Sequence, residues 1–157
     1  MAGKPVLLIT RRLTDAVQAR AARDYQVILN DADHVFSREE LLARCQDVDA
    51  VLPCHSEHFS ADVIADLGDR LRIIANHSVG VDHVDLEAAK KAGIVVTNTP
   101  DVLSDATAEI AMLCMLGAAR RGAEGDAMVR AGKWDFWSPA FMVGRQVTGK
   151  RFGVLGM

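Results

Sequence analysis

The sequence predicts an α/β protein built on a parallel sheet with flanking helices. Short runs rich in Val, Ile and Leu alternate with amphipathic stretches of helical period, and turn or cap residues separate the two. After residue 100 that alternation stops and a longer helical pattern begins, so the chain divides there. At 157 residues, half of them hydrophobic, it suits one ordinary domain, or one small domain and part of another.

Strands are expected at 5–10 (PVLLIT), 25–29 (YQVIL), 49–53 (DAVLP), 71–75 (LRIIA) and 94–97 (IVVT). Each is a short apolar run of the kind a sheet covered on both faces requires. Helices are expected near 13–23, 37–46, 60–68 and 84–92; the last has Asp82 or Asp85 as N-cap and Gly93 just past its end. Five such units within residues 1–101 imply a flavodoxin-like layered sandwich. Beyond it, Pro100 ends the fifth strand and Ser104 can cap a helix over 105–121 (DATAEIAMLCMLGAARR), with basic residues at its end where they suit the macrodipole. Its apolar stripe, including Met112, Cys114, Met115 and Leu116, is expected to be helix core. A short helix near 124–132, a connector with two tryptophans (GKWDFWSPAFMVGRQ, 132–146) and one strand at 150–156 (KRFGVLG) follow. That strand has no successor, so the second domain is expected to be incomplete.

Composition excludes several functions. The net charge of −3 and pI near 5.9, with Lys and Arg scattered, give no basic surface for nucleic acid. The runs VLLIT and IAMLCML fall short of the ~20 residues a membrane span needs. Cys45, Cys54 and Cys114 form no even set and no Cys-x-x-Cys, which fits a reducing cytoplasm.

Three stretches carry chemistry. In IIANHSVGVDHVD (73–85) a core strand runs into a polar turn around Gly80. Strands that end so in α/β proteins end at ligands, because amides beside a glycine can approach a bound anion. The loop CHSEH (54–58) holds Cys54, His55, Glu57 and His58, but one short loop fixes no metal geometry, so no metal is expected and His55 becomes a candidate pocket wall. Trp134 and Trp137, three apart on a polar connector, fit local packing and subunit anchoring equally. Gly156, closing the last strand, matches the first glycine of a dinucleotide turn, but a single glycine taken alone reads first as a simple strand end.

The order NHSVGVDHVDLEAAKKAGIVVTNTPDVLSDATAEIAMLCMLGAARR resembles the D-2-hydroxyacid dehydrogenase family. The continuation GKWDFWSP…TGKRFGVLGM is most similar to its glyoxylate and hydroxypyruvate reductase branch. The resemblance implies a substrate-binding domain at 1–101 and the first helix and strand of a Rossmann domain, binding NAD or NADP, at 102–157. It implies that the Val79 and Gly80 amides hold the substrate carboxylate, that Thr107 touches the cofactor, and that Gly156 opens the dinucleotide motif. Trp137 would reach the active site of a partner subunit in a homodimer. His55 stands where that branch has an apolar pocket residue, a departure that bears on substrate choice. The family's catalytic Arg, Glu and His are expected beyond Met157, so the full-length parent would reduce a small 2-oxo acid while these residues alone would not. A corepressor-type dinucleotide sensor and the phosphoglycerate dehydrogenase branch are alternatives within the family. A signalling receiver domain shares the alternation but needs an acidic pair after the first strand and an Asp after the third. This chain has Thr10, Arg11, Arg12 and then Pro53, Cys54, His55.

Overall fold

A computed structural model describes residues 3–155. The elements run β1 (Val6–Ile9), α1 (Asp15–Asp24), β2 (Gln26–Leu29), α2 (Arg38–Cys45), β3 (Ala50–Leu52), α3 (Ala61–Ala65), β4 (Ile73–Ala75), α4 (Leu86–Lys91), β5 (Val95–Thr97), α5 (Ser104–Ala119) and α6 (Gly122–Arg130). The chain divides into two compact units, Met1–Asp101 and Val102–Met157.

In the first unit all five strands pair in parallel in the order β2-β1-β3-β4-β5. Register places one row of apolar residues across the whole sheet, Ile28–Leu8–Val51–Ile74–Val96. Side chains alternate faces along a strand, so the next row, Val27–Leu7–Ala50–Ile73, lines the opposite face. The first row packs with Leu41 and Cys45 of α2, Val63 and Ile64 of α3 and Ala89 of α4. The second meets Ala21 of α1. Phe59, Leu8 and Ile74 are wholly buried, and each such side chain contributes about 1.5–3 kcal/mol of transfer free energy.

Local chemistry sets the helix ends. Ser37 and Glu40 form a capping box, the Glu40 N–H donating to Ser37 Oγ (3.2 Å) and the Ser37 N–H to Glu40 Oε2 (3.1 Å). Asp85, rather than Asp82, caps α4 by accepting from the Ala88 N–H at 2.9 Å, and Gly93 beyond its end adopts φ +71°. Helix α3 stops well before residue 68. The chain at Gly68 passes so close to Gln46 that a Cβ there would collide with its backbone carbonyl.

The second unit departs further from expectation. Helix α5 includes Ser104, and Leu103 occupies the N-cap position with no side-chain cap bond. Arg121, in the left-handed region at φ 56°, separates α5 from α6. No residue of α5 is buried: Met112, Leu113, Leu116 and Cys114 are all exposed. Among the described residues no sheet of its own unit covers α5, so the stripe expected as helix core is exposed, with Met115 half-buried. Residues 150–155 form no strand ladder among the described residues, since a strand exists only with a neighbour to pair with.

Candidate functional site

The carboxyl ends of β3 and β4, adjacent in the sheet, lead into two loops that face each other. The β3 exit passes Pro53 into Cys54–His58, and the β4 exit passes Asn76 into the turn around Gly80. Backbone bonds bind them together: the His77 N–H donates to Pro53 O (2.9 Å), the Phe59 N–H to His83 O (2.7 Å), and the Asp85 N–H to Phe59 O (2.8 Å). Behind the first loop, Glu57 is only 2% exposed. Its Oε2 accepts from Thr10 Oγ1 (2.6 Å) and the Cys54 N–H (3.2 Å), and its Oε1 from Ser56 Oγ (2.9 Å). The carboxylate thus ties the end of β1 to the loop carrying His55.

Together the loops line an open cleft of about 420 Å³ with His55, His58, Ser78, Gly80, Asp82 and His83. The turn's carbonyls are spent. Val79 O accepts from Asn98 Nδ2 (2.8 Å), Gly80 O from Ser78 Oγ (2.7 Å), and Ser78 O from the Thr99 N–H (2.9 Å). Its amides are not: among the described residues the Val79 and Gly80 N–H groups donate to no protein acceptor.

Gly80 has no reason internal to the fold to be glycine. It is not among the glycines with positive φ, and a Cβ there would meet only Asp82 Oδ2, at 3.4 Å, an ordinary contact. By contrast Gly144 would place a Cβ 2.7 Å from Ala119 O. What remains for Gly80 is the close approach of something bound from outside.

The other polar side chains of the cleft have defined states. Asn76 Nδ2 donates to Thr97 O (3.0 Å), leaving Asn76 Oδ1 to accept from His83 Nε2 at 2.8 Å, so His83 carries its proton on Nε2. Burial, reinforced by His58 and His55, holds the His83 pKa below the usual imidazole value. Cys54 Sγ lies 4.0 Å from His77 Nδ1, yet burial and then Glu57 push its thiol pKa up, which argues against a thiolate nucleophile. Among the described residues no three His, Cys, Asp or Glu side chains are placed to hold a metal ion.

His55 and Gly80 therefore share one cleft, with Val79 in the same turn. Asp82 and His83, between the Gly80 turn and α4, also line the cleft. Thr107 lies in the first turn of α5, exposed, with its N–H donating to Leu103 O (2.9 Å). Trp137 and Trp134 both line an apolar pocket of about 240 Å³ with Gly125, Met128, Val129, Phe141 and Met142, yet remain 76% and 58% exposed. Gly156 lies outside the described residues.

Residues 7–146 match the model of the D-isomer specific 2-hydroxyacid dehydrogenase catalytic domain. The chain belongs to the D-isomer specific 2-hydroxyacid dehydrogenase family. Within the family, the glyoxylate reductase of Thermococcus onnurineus is 40% identical over 157 residues, covering 98% of this chain and 47% of its own length. The glycerate dehydrogenase of Hyphomicrobium methylovorum is 39% identical over 153 residues, covering 98% and 48%. A solved structure from Polaromonas sp. JS6 66, named for the same dehydrogenases, shares 40% identity with a TM-score of 0.88, covering 93% of this chain and 46% of that one. The chain spans about half the length of the curated relatives it matches. No described helix is long and apolar enough to cross a membrane.

Proposed function

We propose that this chain is the substrate-binding part, with the opening of the cofactor-binding part, of a cytoplasmic NAD- or NADP-dependent reductase. The reductase acts on a small 2-oxo acid, glyoxylate or hydroxypyruvate, and gives the 2-hydroxy acid. The observation that carries this reading is the pair of unspent amides at Val79 and Gly80, beside a glycine that nothing within the chain requires. Two aimed N–H donors suit a carboxylate, and they bring no competing side-chain charge. The carbonyls of the same turn are anchored by Asn98 and Ser78, so the donors are held ready without reorganisation.

The nicotinamide would supply the hydride. Of the two residues here that would hold it, Thr107 is exposed in the first turn of α5 and open to a ligand, which fits that role. Within this chain the work is binding and orientation. Val79 and Gly80 fix the carboxylate, and His55 stands at the wall of the same cleft. The proton-transfer group and its orienting carboxylate belong to residues beyond Met157 in this reading. The parent would be a homodimer in which Trp137 reaches the other subunit near its Val79 and Gly80. The 76% exposure of that indole and the uncovered apolar surface of α5 support this arrangement.

The test is Gly80→Val in the whole protein. The branched side chain should obstruct the amides and raise the KM for glyoxylate at least tenfold, a loss of ~1.4 kcal/mol of binding, while the urea midpoint stays near that of the parent. An unchanged KM would remove the turn from the substrate site. The 157-residue chain alone, mixed with glyoxylate and NADH or NADPH, should give no loss of cofactor absorbance.

A further inference from the structure

The cleft beside Gly80 is larger and more basic in type than a two-carbon acid needs. Glyoxylate has five heavy atoms and fills roughly three water volumes of ~30 Å³ each, a small part of about 420 Å³. Three imidazoles, His55, His58 and His83, line the rest. His83 is buried and committed to Asn76, whereas His55 and His58 are exposed on the loop opposite the amide pair.

We propose that His55 and His58 form a second acidic-group subsite, so that the cleft binds dicarboxylates in preference to monocarboxylates of equal length. This rests on the reading that Val79 and Gly80 hold one carboxylate. The second carboxylate would then face the two imidazoles across the cleft. An imidazole offers one N–H donor when neutral, and two donors with a positive charge when protonated. A wall of this kind disfavours an alkyl tail, which would strip water from the imidazoles and return no hydrogen bond.

Few charged groups surround the pair. Asp82 sits on the lining beside Gly80 and opposes an anion, Glu57 lies buried behind the loop, and Arg11, paired with Asp33, acts on the loop from the end of β1. Cys54 and His77 flank the loop, and His83 faces it from the β4 turn. Asp82 is the one carboxylate on the cleft lining, set against the two exposed imidazoles of the opposite loop.

Amide NMR of the 15N-labelled chain, titrated with succinate and with butyrate at pH 6, tests this directly. Both acids should shift the Val79 and Gly80 amides. At pH 6 succinate should bind about fivefold more tightly than butyrate, the size of one solvent-screened charge interaction. The advantage should vanish in the His55→Leu, His58→Leu double variant, whose two sites are exposed and leave the core untouched. Equal affinities at pH 6 would overturn the second subsite while leaving the carboxylate turn standing. A preference that survives the double substitution would also overturn it. If neither acid moved the Val79 and Gly80 amides, the carboxylate turn itself would be wrong and this inference with it.

Discussion

Removing the Glu57 carboxylate should destabilise the first unit more than any other single polar change at the site. Glu57 is 2% exposed and accepts three hydrogen bonds. In Glu57→Ala the hydroxyl of Thr10, itself 0% exposed, and the N–H of Cys54 both lose their acceptor, while half-buried Ser56 can turn to water. A buried donor left without a partner costs about 1–3 kcal/mol, so two such donors predict a loss of about 2–6 kcal/mol. Against a typical total of ~5–15 kcal/mol that is a large fraction. Glu57→Gln keeps the volume and one acceptor oxygen, and hydroxyls can rotate to accept from its amide. Its loss should be nearer ~1 kcal/mol.

Urea denaturation of wild type, Glu57→Ala, Thr10→Val and the double variant measures both the total and the coupling. Thr10 and Glu57 share one bond of 2.6 Å, so their losses should not add, and a coupling of about 1–2 kcal/mol is expected. A Glu57→Ala loss below ~0.5 kcal/mol, or additive single losses, would refute the claim that this carboxylate ties β1 to the His55 loop.

The remaining predictions concern titration and association. Burial and the neighbouring His58 and His55 depress His83 in the folded state, so its contribution to stability is present above the unfolded imidazole pKa and is lost as pH falls below 6.5. NMR titration should place the His83 midpoint below 6.5, and a midpoint above it would contradict the buried site. Burial pushes the Cys45 thiol up to about 12 from 9.0, so its contribution to stability is present below pH 9 and is lost as pH rises toward 12. Iodoacetamide at pH 8 should modify exposed Cys114 and spare Cys45 until the protein unfolds. Arg70, with the Val6 N–H, holds the Asp49 carboxyl at about 2, and a carbon-detected titration midpoint near 3.8 would show the pair broken in solution. Finally, Trp137→Ala in the whole protein should loosen selectivity among small 2-oxo acids more than it lowers the urea midpoint. Sedimentation as a monomer at active concentrations would exclude the partner-subunit role.

The sheet was legible because each strand carries its own signal. The runs around Leu8, Val51 and Ile74 are apolar at every position that register later places in one row, so burial on both faces could be inferred before any pairing was known. Helix ends were legible where the cap is local, as at Asp85 and Gly93. They were not where tertiary approach decides, as at Gly68 against Gln46. The status of α5 was hidden for a related reason. Its apolar residues resemble a core stripe from any viewpoint along the chain, and only the neighbours present decide whether they are covered.

The site divides along the same line. Gly80 could be found from sequence because a lone glycine in a polar turn after a core strand is a local anomaly, and the structure sharpens it by removing both internal reasons for a glycine there. His58, Asp82 and His83 could not be placed that way. Each has an innocent local role, in a loop, a turn and a helix start, and they meet only because β3 and β4 are neighbours in the sheet, which sends both loops out at the same end. Glu57 was least visible of all, since its partners Thr10 and Cys54 come from different strands' ends. A buried carboxylate held by three donors fixes the loop that presents His55 and His58, while Asn98 and Ser78 fix the turn that presents Val79 and Gly80. Both walls of the cleft are thus held by hydrogen bonds within the protein that do not use the Val79 and Gly80 amides, which leaves those amides free to engage a ligand at little reorganisation cost.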